Sequence, residues 1–272
     1  MNKKTKKGKK CHRCKPGTKK IISIDDKWKL PRLFREISPN YAIPDCSPNL
    51  KKSYPKDYNL VDKIKLGTKF SNRIIFYFAA HPKKIKNCDI INNASLAYGD
   101  LSNQGVGHTN KEGTINIYLK CPQGYREEGN TYISHVHFII SNKKNNKWIP
   151  KMKTQRLSCI VSKQEFDNID KSNCAIILCS SSPKIYIKKM IKNSFSLPYN
   201  IIKDLDNKDI INYINQLILY NNRFNLSLKN KKLSLKEVPL IIYCYEKKKL
   251  SKKLQEYLIN MGFKNVREYI LN

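Results

Sequence analysis

The 272-residue sequence predicts an α+β chain of two domains behind a basic arm. An antiparallel β-sandwich is expected over 26–158, and an α/β domain with a doubly wound parallel sheet over 159–272. Two observations about patterning lead there. Upstream of Cys159, apolar runs of strand length recur between turn residues without a helical period, as in an all-β sandwich. Downstream of it, strand-like and helix-like runs alternate, which is the pattern of a parallel sheet with crossover helices. A third observation is composition: with 40% hydrophobic residues the chain can bury cores of ordinary size.

The elements follow in order. Residues 1–25 read as a disordered basic arm, and 26–70, rich in Pro, Tyr and Lys, as an irregular lead-in. Within the arm, Cys11, His12 and Cys14 are half of a zinc ligand set with no second pair nearby, and read as incidental. The run 73–80 (RIIFYFAA) predicts a buried strand, and 114–120 (TINIYLK) an alternating one entered from an Asn110–Gly113 turn. Further strands are expected over 132–141 and 152–160. In the second domain, 174–179 and 238–244 are continuous apolar runs, as in strands covered on both faces. Helical spacing occupies 185–191 and 209–220, with a short extended piece at 194–199 between them. The last helix carries the stripe Leu250, Leu254, Leu258 and Met261, with Gly262 where a C-terminal cap belongs, and NVREYI closes as a strand.

Charge sets the class of partner. Lys and Arg number 53 against 21 acids, a net +32 at pH 7. The excess is spread along the chain: +10 in residues 1–20, +12 in 21–159 and +10 in 160–272. Such a surface attracts nucleic acid or another polyanion without sequence preference, with Lys3, Lys4, Lys6, Lys7, Lys9 and Lys10 the densest cluster. AT-rich coding accounts for the same abundance of Lys and Asn. No run is long enough to span a membrane and no apolar leader opens the chain, so neither membrane association nor secretion is expected. Nine cysteines without a regular framework predict reduced thiols in a cytosolic compartment.

Cys244 ends the most apolar strand and is followed at once by a helix, where backbone N–H groups and the helix dipole favour a thiolate or a bound anion. The segment IIYCYEKKKLSKKLQEYLINMGFKNVREY, with MIKNSFSLPYN upstream, resembles the rhodanese family over about 110 residues. The resemblance implies a persulfide carried on Cys244, hence a sulfurtransferase. There are departures: Lys249 and Leu250 stand where the family often has Arg and Ser, and Leu178-Cys179-Ser180 replaces its Asp-Val-Arg. Leu250 also occupies the place of the phosphate-binding Arg of related cysteine phosphatases, which disfavours that chemistry.

His135 and His137, two apart on a predicted strand, share a face, and such a pair can offer a metal two imidazoles. Hydrogen-bonded or surface His pairs read the same way. The order HTNKEGTINIYLKCPQGY, YISHVHFIIS, KMKTQ resembles the intradiol ring-cleavage dioxygenases over some 60 residues. The resemblance implies an Fe(III) site of Tyr98, Tyr125, His135 and His137, with Gln155 near the substrate. Tyr132 stands where that family has an Arg that supports charge developing on the substrate.

Two function classes follow. In composition, and in joining two enzyme-like domains behind a basic arm, the chain resembles proteins of large DNA viruses. That implies a non-catalytic, virion- or DNA-associated protein of the host cytoplasm or virion, with other virion proteins as partners and a Tyr/His iron site. The alternative is an enzyme, either a sulfurtransferase using Cys244 or a non-haem iron dioxygenase.

Overall fold

A computed structural model describes residues 52–82, 90–145, 148–149, 151–172, 174–230, 233–246 and 248–271. The basic arm, including its lysine cluster and Cys11, His12 and Cys14, lies outside the described residues. The chain divides into two compact units.

The first unit takes its described residues from 52–82, Asn93–Gln123 and His135–Leu157. Its elements are β1 (Leu60–Lys65), β2 (Ile74–Ala79), α1 (Ala94–Tyr98), β3 (Gln104–His108), β4 (Thr114–Leu119), β7 (His135–Ile140) and β8 (Lys153–Arg156). All pairing is antiparallel: a four-stranded sheet in the order β3-β2-β7-β8, and a two-stranded ribbon β1-β4. β2 and β7 are buried along their whole length because both faces of the sheet are covered. One face carries Tyr77, Val136 and Phe138 and receives the ribbon. There the Tyr118 N–H donates to Tyr77 Oη, and buried Asn103 exchanges hydrogen bonds with the backbone of Lys120. The ribbon turns Leu60, Ile64, Ile115, Ile117 and Leu119 inward. Two glycines of β3 make room here, Gly105 for Tyr77 and Gly107 for the ribbon's Ile115. A Cβ at Gly105 would lie 2.3 Å from Tyr77 Oη, and one at Gly107 2.7 Å from Ile115 Cδ1.

The second unit takes its described residues from 158–271, together with Gly124–Ser134 and 90–92 from inside the span assigned above to the sandwich. It holds β5 (Tyr125–Glu127), β6 (Asn130–Tyr132), β9 (Ile160–Val161), α2 (Lys163–Ser172), β10 (Ile176–Cys179), α3 (Pro183–Lys189) and β11 (Ser194–Ser196). After these come α4 (Tyr199–Ile202), α5 (Asn207–Leu219), α6 (Asn222–Lys229), β12 (Leu240–Tyr243), α7 (Lys248–Asn260) and β13 (Val266–Tyr269). Five parallel strands pair in the order β11-β10-β12-β13-β9. β10 and β12 are buried throughout, and the apolar stripe of α5 (Ile210, Ile214, Leu217, Ile218) joins their core.

Three expectations are corrected here. The strand expected over 132–141 is two pieces. Tyr132 ends a hairpin with β5, whose turn residues Glu128 and Gly129 both have positive φ (48° and 78°), the two-residue turn whose twist suits a hairpin. The lead-in contains β1, whose inner row interrupts two apolar residues with Asp62, so alternation was masked. The expectation of reduced thiols fails as well. Cys121, Cys159 and Cys174 are disulfide-bonded, because pairing follows proximity in the fold rather than spacing in sequence. Cys179 and Cys244 are free. Among the described residues no helix is long and apolar enough to cross a membrane.

Candidate functional site

The face of the sheet opposite the ribbon carries a polar cluster in an apolar setting. Strand alternation sends His135 and His137 to that face, and both are buried. Tyr98, fully buried at the end of α1, meets them there: its Oη lies 3.0 Å from His135 Nε2, which lies 3.0 Å from His137 Nε2. The rings pack against Phe78, whose centroid is 5.3 Å from His137 and 5.8 Å from Tyr98. Burial, and after it the neighbouring His135, pushes the His137 imidazolium down to about 3. His137 is therefore neutral at neutral pH. Its Nδ1 sits 2.8 Å from Thr154 Oγ1, a cross-strand partner on β8.

Short-range structure fixes Tyr98. The Asn93 side chain accepts from the Leu96 N–H at 3.1 Å and caps the start of α1. The His81 N–H donates to Ala97 O at 2.7 Å, and His81 Nε2 is 3.0 Å from an Asp100 carboxylate oxygen. Gly99 ends the helix at φ 50°, and a Cβ there would stand 2.5 Å from His81 Nε2. Only glycine meets both demands.

Three of the four expected metal ligands, Tyr98, His135 and His137, thus converge within one unit. Tyr125 belongs to the other unit, where its buried ring stacks on Tyr132 at 5.2 Å between centroids. Gln155 does not share the histidine face. It pairs with Val136, one residue out of phase with His135 and His137, and its amide donates to Asp62 at 3.0 Å. The same alternation that unites the imidazoles sends it to the ribbon side, away from His135 and His137. Thr154, which sequence reasoning missed, takes the supporting role. Its only signal is its register opposite His137, which requires knowing how β7 and β8 pair.

Cys244 stands at the carboxyl end of β12. The chain leaves β10 for β11 on one side and leaves the adjacent β12 for β13 on the other, so the loops after β10 and β12 flank the switch point of the sheet. There Ser181 Oγ lies 3.5 Å from Cys244 Sγ and accepts from the Tyr245 N–H at 2.8 Å. The Glu246 carboxylate accepts from the Ser182 N–H at 2.8 Å. One backbone donor of the loop is therefore taken, and a carboxylate occupies the place where an anion-binding loop would be positive. Lys247 lies outside the described residues, and Lys249 is exposed.

Among the described residues, no group of three or more His, Cys, Asp or Glu side chains is placed to hold an ion. The convergent set is two imidazoles and a phenol. The chain matches no family model, no curated protein and no solved structure.

Proposed function

We propose that the first unit is a metal-binding β domain in which Tyr98, His135 and His137 hold a single cation, with Fe(III) the best match. One observation carries this reading: His135 Nε2 has two polar neighbours, Tyr98 Oη and His137 Nε2, each at 3.0 Å. A neutral imidazole nitrogen has one in-plane valence, either a proton or a lone pair, and so makes one good hydrogen bond there. If it donates to His137 it cannot also take the phenol's proton; if it accepts from the phenol, its one lone pair is no longer available to His137. A cation resolves the crowding by accepting lone pairs from all three atoms. The surroundings fit. His137 is neutral, and a proton on its Nδ1, donated to Thr154 Oγ1, leaves the Nε2 lone pair facing the site, the usual outer support of a metal-bound imidazole.

A phenolate oxygen and two neutral imidazoles suit a hard trivalent iron, and bound there such an ion would supply Lewis acidity and redox activity. The chain's own contribution is to bury three donors beside the Phe78 ring and fix the His137 ring from behind. Binding, rather than turnover, is what this set supports. A rhodanese-type role for Cys244 has no comparable support, since Glu246 puts negative charge into its loop.

Metal analysis of the purified full-length protein tests the reading. About one equivalent of a transition metal is expected in the unmodified chain, or after incubation with ferric salt. His135→Ala and His137→Ala should each lose it while keeping the far-ultraviolet circular dichroism spectrum. A chain that takes up no ion under either condition would overturn it.

A further inference from the structure

The outer face of the β1-β4 ribbon carries a second feature, independent of the histidine cluster. Strand alternation leaves Val61, Lys63 and Lys65 on the outside of β1, with Asn116 and Tyr118 beside them on β4. Tyr54 and Tyr58, from the segment leading into β1, lean onto Tyr118. The ring centroids are 4.8 Å apart for Tyr54 and Tyr118, 5.0 Å for Tyr58 and Tyr118, and 5.6 Å for Tyr54 and Tyr58. This cluster is not core: Tyr54, Tyr58 and Val61 are 42%, 40% and 53% exposed. Lys52 Nζ hangs 6.0 Å from the Tyr54 ring centre and 5.8 Å from that of Tyr118. Lys63 and Lys65 on the same outer row of β1, and Lys56 between Tyr54 and Tyr58 in sequence, are exposed.

The acids nearby do not cancel this charge. Asp57 is paired with Lys120 at 2.6 Å, Asp62 turns inward to Gln155, and Glu112 at the ribbon's tip adjoins Lys111. The result is an exposed aromatic cluster framed by cations on a chain of net charge +32.

We propose that this face is a stacking platform for single-stranded nucleic acid. Lysines alone recognise any polyanion, and bind a duplex through its phosphates. Exposed tyrosine rings add something only where a base offers its flat face, which a duplex keeps inside its own stack. Rings and lysines together therefore select a strand with unpaired bases, and do so without reading its sequence. A partner protein's carboxylates would satisfy the lysines but would themselves give the rings nothing to stack on, whereas a single strand pairs each phosphate with a base.

Fluorescence anisotropy with the full-length protein tests this, using a labelled oligothymidine, a duplex of equal length, and heparin as an anion without bases. The single strand should bind tightest. Tyr54→Ala with Tyr58→Ala should weaken it about tenfold or more while leaving duplex and heparin nearly unchanged. Lys63→Ala with Lys65→Ala should reduce the slope of log affinity against log salt by about 1.4 for the single strand. Equal affinity for all three ligands, or a tyrosine pair whose loss lowers all three alike or none, would overturn the proposal.

Discussion

At the scale of single residues, the account turns on side chains whose hydrogen-bonding capacity is exceeded or exhausted. His135 exemplifies the first condition. Tyr98→Phe removes one claimant on its Nε2 and should cost only about 1 kcal/mol in urea unfolding of the metal-free protein, because His137 remains 3.0 Å from the same nitrogen. A loss several times larger would mean that the phenol makes an ordinary, fully satisfied hydrogen bond. Glu237 exemplifies the second. Its buried carboxylate accepts from Arg126, from Thr131 and from the Ser234 N–H. Burial alone would raise its pKa, but the Thr131 hydroxyl, the Ser234 groups and the Arg126 guanidinium outweigh it and hold the carboxyl below its usual range. A carboxyl depressed in the folded state binds fewer protons than in the unfolded chain as pH falls. Its stabilisation is thus complete above the ordinary carboxylate range, and is lost as pH drops through that range towards the lower folded value. Glu237→Gln should cost about 2 to 3 kcal/mol at pH 7 and flatten the acid limb of the stability curve. An acid limb unchanged from the unmodified protein would contradict the assignment. Of the site itself, the shared face of His135 and His137 was legible from their spacing alone. Tyr98 was reached only through a motif resemblance, and Thr154 not at all, since nothing local marks a threonine that lies opposite a histidine in another strand.

At the scale of elements, β3 shows why some strands are hard to read. QGVGH has the composition of a loop, because two of its five residues gave up their side chains to let Tyr77 and Ile115 approach. Gly105→Ala should destabilise the protein by about 1 to 3 kcal/mol. The added carbon would meet Tyr77 Oη at 2.3 Å and the Ser53 carbonyl at 2.6 Å, one of them backbone. A shift of the urea midpoint within error of zero would show that Tyr77 and the Ser53 backbone do not press on β3 as described. Strands with a clean pattern were read closely: 73–80 is β2 at Ile74–Ala79, 114–120 is β4 at Thr114–Leu119, and 238–244 is β12 at Leu240–Tyr243. The same holds for the final helix, Lys248–Asn260. Elements were missed where tertiary packing, not local pattern, decides. Among them are β1 with its inward Asp62, α1 with only five residues, α2 at Lys163–Ser172, and α6 between polar neighbours. The β5-β6 hairpin was fused with β7 because Tyr132 to Ser141 reads as one strand until the chain passes from one unit to the other after Ser134.

At the scale of the whole molecule, charge, disulfides and the buried cluster each bear on how the protein behaves. The disulfides of Cys121, Cys159 and Cys174 predict that thiol reductants lower the thermal midpoint, each bridge contributing about 2 to 4 kcal/mol. A midpoint indifferent to reductant would restore the expectation of free thiols. Net charge of +32 makes any polyanion affinity steeply salt-dependent, so measurements of the two proposed activities need a fixed ionic strength. The central claim is that Tyr98, His135 and His137 share one cation, and ferric titration of the full-length protein followed by visible absorption tests it most directly. The account predicts a phenolate-to-iron charge-transfer band that saturates near one ion per chain. That band should be absent in Tyr98→Phe, and lost together with the bound iron in His137→Ala. A protein that stays colourless through the titration, or whose colour survives the loss of Tyr98 unchanged, would contradict it.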